Sequence, residues 1–371
     1  MTYSRYARRS GLDGLSVTCV RVLVTGGAGF IGSHIADLLA DSGDEVVVLD
    51  NLLSTAHGSS VPPDYTSRHR FLRGDVADIE LIGELLRDVD VVCHQSAVVG
   101  HGVDPSDAPS YALHNDYATA VLLAGMHVAG IRKLVMASSM VVYGEGRYAC
   151  ARHGVVPPAP RRQSDLAENR YEPTCGDCGE ELAWQLVPED APLQPRSTYA
   201  ATKLAQEHLA GAWARQTGGT VWAMRYHNVY GPRMPQNTPY AGVASLFRSS
   251  LLRGEAPTVL EDGRQHRDFV HVHDVARANV LALRAAETPG ELTPLNICSG
   301  EPHTVGELAV ELARACDGPA PRIVGGARAA DVRHVVADPA RAERLLGFRA
   351  ETGFAEGITA FATAKLRDPV G

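Results

Sequence analysis

The 371-residue chain has no apolar run approaching the ~20 residues that span a bilayer, so no membrane anchor is expected. Positive charge is in short supply: 35 Lys and Arg stand against 43 Asp and Glu, a net charge of −8. No broad basic face can be assembled from that balance, which excludes nucleic acid as a partner. Cysteine is sparse and odd in number, seven in all, and does not suit a disulfide framework. A reducing cytoplasm is the expected compartment. No apolar stretch follows the pair Arg8-Arg9, so residues 1–19 read as a loosely held tail rather than a twin-arginine export signal. What is present is an ordinary globular composition, 45% hydrophobic and 21% charged, long enough for one large domain or two unequal ones.

The stretch VRVLVTGGAGFIGSHIADLLADSGDEVVVLDN carries the first strong signal. Val20 to Val24 is a β-branched run, as expected of a parallel strand buried on both faces. Gly26, Gly29 and Gly32 then follow at three-residue spacing. Glycines there let the backbone approach a pyrophosphate, whose charge sits on the N-terminus of the next helix, expected over residues 31–42. A second strand ends in Asp50, which suits both ribose hydroxyls of an adenosine and repels a 2′-phosphate. NAD is therefore favoured over NADP. Asp75, in GDVAD, is placed to meet the adenine, and VDVVCHQSAVV supplies a fourth strand with a small-residue loop against the cofactor.

A fifth strand in LVMASSMVVYGEG ends in hydroxyl residues, and STYAATKLAQEHLA reads as a helix. Tyr199 and Lys203 are four apart and share a face of it. An ammonium beside a phenol favours the phenolate, which takes a proton from a sugar hydroxyl as hydride leaves the same carbon. Ser139 is placed to hydrogen-bond the same oxygen. The histidines of QHRDFVHVHD, His271 and His273, alternate on what reads as a strand, where metal binding is possible but a structural role is expected.

From about Val20 to Phe361 the chain resembles the extended short-chain dehydrogenase/reductases, in particular the NAD-dependent nucleotide-sugar epimerase/dehydratase group. The matching pieces are VTGGAGFIG, LDN, GDV, SSMVVYG, YAATK, RYHNVYGP and RDFVHVHDVARA. The resemblance implies Ser139, Tyr199 and Lys203 as the catalytic trio. Around NAD it implies Phe30, Ile31, Asn51, Val76, Ala97 and Asn115 besides the residues above. It makes Asn228, Gly242 and Val243 substrate contacts, and Arg267 and Arg333 partners of the substrate diphosphate, a role that suits the guanidinium fork. It also implies a homodimer built on two helices of the first domain.

Sugar 4,6-dehydratases of this group carry Asp-Glu directly after the catalytic hydroxyl residue. Met140 and Val141 stand there instead and can neither protonate nor deprotonate a hexose, so dehydration is disfavoured. The stretches HNDYATAVLLAG and NTPYAGVASLFRSSLLRGEAPTVLEDGRQHRDFV resemble the branch that contains dTDP-L-rhamnose 4-epimerases. The leading expectation is 4-epimerisation of a dTDP- or UDP-hexose through a transient 4-keto sugar. A 4-keto-sugar reductase of deoxysugar biosynthesis is the runner-up, and a non-catalytic NAD-binding scaffold the distant third.

Sixty residues separate Ser139 from Tyr199, far more than the group usually has, so residues 145–195 form an insertion rich in Pro, Arg and Glu. Cys150, His153, Cys175 and Cys178 fall within it as C-x2-H and C-x2-C pairs. Three thiolates and one imidazole suit a structural tetrahedral zinc. Unliganded surface cysteines and a redox pair are the other readings; the redox pair would need a helix N-terminus beside a strand. The expected architecture is a doubly wound α/β Rossmann domain over residues 20–229, with a smaller domain, mainly nucleotide-sugar-binding, over 230–371.

Overall fold

The computed structural model describes residues 19–100, 104–159, 161–236, 242–327 and 331–367. The tail at 1–18 and the NTPYA stretch at 237–241 lie outside them. The β-branched runs of the first half become β1 (Arg21–Thr25), β2 (Glu45–Asp50), β3 (Arg70–Arg73), β4 (Val91–His94) and β5 (Lys133–Ser139). The insertion contributes three short strands, β6 (Arg147–Cys150), β7 (Gly154–Val156) and β8 (Ala183–Gln185). After it come β9 (Thr220–Tyr226), β10 (Asn228–Tyr230), β11 (Thr258–Leu260), β12 (His266–His271), β13 (Leu292–Ile297), β14 (Pro302–Thr304) and β15 (Arg322–Gly325).

Seven strands make one parallel sheet in the order β13-β9-β5-β4-β1-β2-β3. The order reverses between β1 and β4, and in such sheets ligands bind outside the carboxyl ends of the strands at that point. Both faces are covered. Val22 and Val24 of β1 pack with Ile35, Leu39 and Val48 on one side; Leu23 packs with Val47, Leu122 and Met126 on the other. Double-sided burial explains why these strands read as unbroken apolar runs.

A separate core, with Tyr230, Phe247, Leu251, Phe269, Leu312 and Phe361 among its members, gathers residues from after 229. Residues beyond 230 nevertheless serve both cores. β13 closes the main sheet, and the helix Val272–Arg284 buries Val275, Ala278 and Ala282 in the main core. The histidine pair also lies differently from the expected strand face. β12 ends at His271, which caps the helix, and His273 sits in its first turn. Their rings meet edge to face, 4.8 Å between centroids.

The insertion is a small antiparallel sheet, β7-β6-β8, over a core of Tyr148, Cys150, Cys175 and Leu182. Among the described residues no helix is long and apolar enough to cross a membrane.

Candidate active site

The glycine turn after β1 is shaped by contacts that leave no room for side chains. Gly26 has φ +66°, and a Cβ on it would lie 2.7 Å from the Ser96 backbone nitrogen. One on Gly29 would lie 2.9 Å from the Gly26 carbonyl oxygen, and one on Gly32 would collide with the same oxygen. The helix Phe30–Asp41 starts here with no side chain capping it, so its first N–H groups are free to meet an anion. Asp50, buried at the end of β2, accepts from the Ala28 and Leu52 backbone nitrogens at 3.1 and 2.9 Å. Asn51 donates to Asp75 at 2.9 Å. This cradle, acid and free helix terminus fit the pyrophosphate and ribose of NAD.

The turn opens into a cleft of about 910 Å³ that runs along the carboxyl ends of the strands into the second core. Gly26, Gly29, Phe30, Ile31, Gly32, Asp50, Asn51, Asp75, Val76 and Ala97 line one end of it. Ser139, Tyr199, Lys203, Asn228, Gly242, Val243 and Arg267 line the rest. Met140 and Val141 are also on its wall, and neither brings a proton-transfer group. Tyr199 and Lys203 ride on the helix Thr198–Thr217, whose first turn is capped by Ser197 accepting from Ala200 at 3.2 Å. The helix runs past residue 210, where the sequence reading ended, because Gly211 faces Leu292 and the chain turns only at Gly218, φ +69°.

Tyr199 and Ser139 line the same cleft, and the Tyr199 ring stands 6.0 Å from that of Tyr111. Lys203 donates to the Ala137 carbonyl at 3.0 Å. Burial pushes the Tyr199 phenol up to about 12, although Ser139 opposes the shift. Burial also draws the Lys203 ammonium down to about 8. Burial is the dominant influence on the phenol, and the Lys203 ammonium is engaged on a main-chain carbonyl. Under the site lies a buried network. Glu207 takes a two-pronged contact from Arg225 at 2.9 and 2.8 Å, and Arg225 also donates to the Tyr143 hydroxyl and the Glu189 carbonyl, both at 2.9 Å. It joins the helix to the sheet beside β5 and holds Tyr199 in place.

Two expected contacts are not on the cleft wall. Asn115 is fully buried, exchanging two hydrogen bonds with the Val98 backbone at 2.8 and 3.0 Å and donating to Thr202 at 2.9 Å. It ties the loop after β4 to the helix bearing Tyr199. Arg333 is also fully buried. Its guanidinium is shared by Glu172, Glu261 and Asp262, with bonds of 2.8, 2.7 and 2.7 Å, so no donor is left for a diphosphate. Arg267 does line the cleft, braced on the carbonyls of His266, Val332 and Arg333 at 2.7–2.8 Å. Among the wall residues that sequence reasoning missed are His57 and Arg367. Arg367 donates to His57 at 2.6 Å, and the other ring nitrogen of His57 lies 3.4 Å from Asp50. No motif marks either.

Cys150, His153, Cys175 and Cys178 meet away from the cleft, with their ligand atoms all within 4.8 Å of one another. The Cys150 sulfur is 3.6 Å from both His153 Nδ1 and the Cys178 sulfur, and His153 Nδ1 is 3.3 Å from Cys175. The backbone N–H groups of Cys178 and Asp177 point at the Cys175 sulfur. The pair sits in a tight turn closed by the bridge between Thr174 and Glu181, not at the helix terminus a redox pair would use.

Residues 22–166 and 176–298 match the NAD dependent epimerase/dehydratase family. The chain belongs to that family. It is similar to a dTDP-L-rhamnose 4-epimerase of Burkholderia thailandensis, 32% identical over 91% of this chain and 93% of that one. A UDP-glucose 4-epimerase of Mycolicibacterium smegmatis is 31% identical over 91% and 96%. Among solved structures, UDP-glucose 4-epimerase of Thermotoga maritima with UDP-glucose superposes with a TM-score of 0.75 at 28% identity, covering 92% of this chain and 97% of that one. The Thermus thermophilus UDP-glucose 4-epimerase in complex with NAD gives 0.72 at 32% identity, with the same coverage.

Proposed function

We infer that the protein is an NAD-dependent nucleotide-sugar 4-epimerase. The observation that carries this reading is the convergence, on one cleft, of the glycine cradle with Asp50 and of Ser139, Tyr199 and Lys203. NAD, when bound, supplies reversible hydride acceptance at the sugar C4. Tyr199 takes the O4 proton and later returns it, and Ser139 hydrogen-bonds the same oxygen. Lys203, ionised below about pH 8, adds positive charge that favours loss of the Tyr199 proton. Asn228 faces the cleft with a buried side-chain oxygen that has no protein partner, and it is assigned to the sugar. Arg267 is assigned to the diphosphate, and Gly242 and Val243 to the substrate beside it. The apolar Met140 and Val141 suit a deoxysugar, in line with dTDP-L-rhamnose as a substrate. The test is incubation of the NAD-bound protein with dTDP- and UDP-hexoses. Accumulation of the C4 epimer without net change in cofactor supports the reading, and stoichiometric consumption of added NADH with a keto-sugar would establish the reductase instead.

The insertion is assigned one structural zinc. Zinc bonds of about 2.3 Å to sulfur and about 2.0 Å to nitrogen set tetrahedral ligand atoms roughly 3.5–3.8 Å apart. Three of the ligand separations, 3.3–3.6 Å, approach that shape, and all lie within 4.8 Å. Three thiols this close persist as thiols only in a reducing compartment, which supports the cytoplasm. Exposed Leu113, Tyr117 and Val128, along the helical stretch after residue 107, support a homodimer face. Metal analysis of protein purified without chelator should find one zinc per chain; substoichiometric zinc would reject the site.

A further inference from the structure

Three insertion residues leave the small sheet and its turn to grip the wall of the substrate cleft. Tyr148, two residues before Cys150, accepts from the His334 backbone nitrogen at 3.0 Å. Glu172, three residues before Cys175, accepts from Arg333 at 2.8 Å and from His334 Nε2 at 2.8 Å. Trp184 lies against His266, 4.9 Å between ring centroids. The grip continues inward. His334 Nδ1 accepts from the His266 backbone nitrogen at 3.0 Å, which together with the Glu172 bond fixes the Nε2–H tautomer. Arg333 and Val332 give their carbonyls to the Arg267 guanidinium, and Arg267, Asp331, Val332 and Val335 are all on the cleft wall.

We propose that the metal-ordered insertion is a clamp, in which Glu172 holds Arg333 and His334 so that Arg267 is presented to the substrate diphosphate. The proposal rests on the zinc site and on the role given to Arg267 above. Its physical basis is the position of the gripping residues. Tyr148 and Glu172 each stand two or three residues from a cysteine of the cluster. The insertion's own core has four fully buried members, Tyr148, Cys150, Cys175 and Leu182, and two of these are cluster cysteines. Ordering of such a fragment depends on the metal, because metal binding supplies the folding free energy that a small core lacks. Glu172 also explains the fate of Arg333. Three acids surround one buried guanidinium, which makes it a structural post, so of this pair of arginines Arg267 is the one that faces the cleft.

The test uses the full chain with its copurified NAD, and dTDP and UDP as calorimetric probes. Chelation of the metal should weaken binding of the better probe by about tenfold, equivalent to ~1.4 kcal/mol, and zinc added back should restore it. NAD content should not change, since none of the gripping residues lines the cofactor cradle. Glu172→Ala should keep one zinc per chain and show the same loss of nucleotide affinity. Unchanged affinity after complete metal removal would overturn the metal dependence. Unchanged affinity in zinc-loaded Glu172→Ala would overturn the clamp, whether or not the epimerase reading stands. If the protein binds no metal, the zinc assignment fails separately, and the metal dependence with it, while Glu172→Ala still decides the link from insertion to cleft. Loss of NAD on chelation would show general unfolding and also reject the proposal.

Discussion

Tyr199 carries the proposed chemistry on one oxygen atom, and the groups around it serve to hold and discharge that oxygen. Tyr199→Phe keeps the ring beside Tyr111 and removes only the hydroxyl. Turnover should fall by about a thousandfold, the middle of the range for a lost acid–base group, with NAD still bound. Comparing kcat with the cofactor content of the purified variant checks this; turnover within about tenfold of wild type would remove Tyr199 from the chemistry. That Ser139, Tyr199 and Lys203 meet on one cleft was legible in the sequence, because the spacing on a helix and the place after a strand are local facts. Arg333 was not. A partner 161 residues away in the chain, Glu172, takes its guanidinium, and nothing in DVRHVVAD reports that. The shifted titration of Tyr199 and Lys203 was equally hidden, since desolvation depends on what packs around a group and not on its neighbour four residues along.

Elements of the main sheet were legible for a physical reason. The strands β1, β2 and β4, buried on both faces, are apolar runs rich in valine, and the glycine turn and acid that follow the first two are set by sterics and charge at short range. The insertion's strands, of three or four residues, have no such run, and only the cysteine spacing announced that it folds at all. Asn115 shows the same divide. It was assigned to the cofactor, yet its work is to tie together three elements: the loop after β4, its own helical turn and the helix bearing Tyr199. Asn115→Ala takes away the side-chain partner of the half-buried Val98 N–H and carbonyl. The cost should be about 2–3 kcal/mol, three hydrogen bonds at roughly 1 kcal/mol each, read as a lower denaturant midpoint. A midpoint unchanged from wild type would mean that the loop is held by other means.

Across the whole molecule, four buried histidines tie stability to pH. Burial holds His34, His227 and His271 down to about 4 and His94 to about 3. An unfolded histidine titrates near 6.5, so below that pH the unfolded chain binds protons that the folded chain refuses. The stabilisation is complete above about pH 6.5 and is lost as pH falls toward 4. Thermal melting should therefore come at clearly lower temperature at pH 5 than at pH 7.5; equal melting would show that these rings are not held neutral. The account's central claim, however, is that one bound cofactor takes and returns the same hydride at C4 while Tyr199 handles the proton. The most direct test is turnover of a nucleotide hexose carrying deuterium at C4, in ordinary water, followed by analysis of the epimerised product. Deuterium retained at C4 of the product, with no net cofactor consumed, is the predicted result. Washout of the label into solvent would contradict the account, because it would mean that C4 is inverted through a carbanion and not by hydride return.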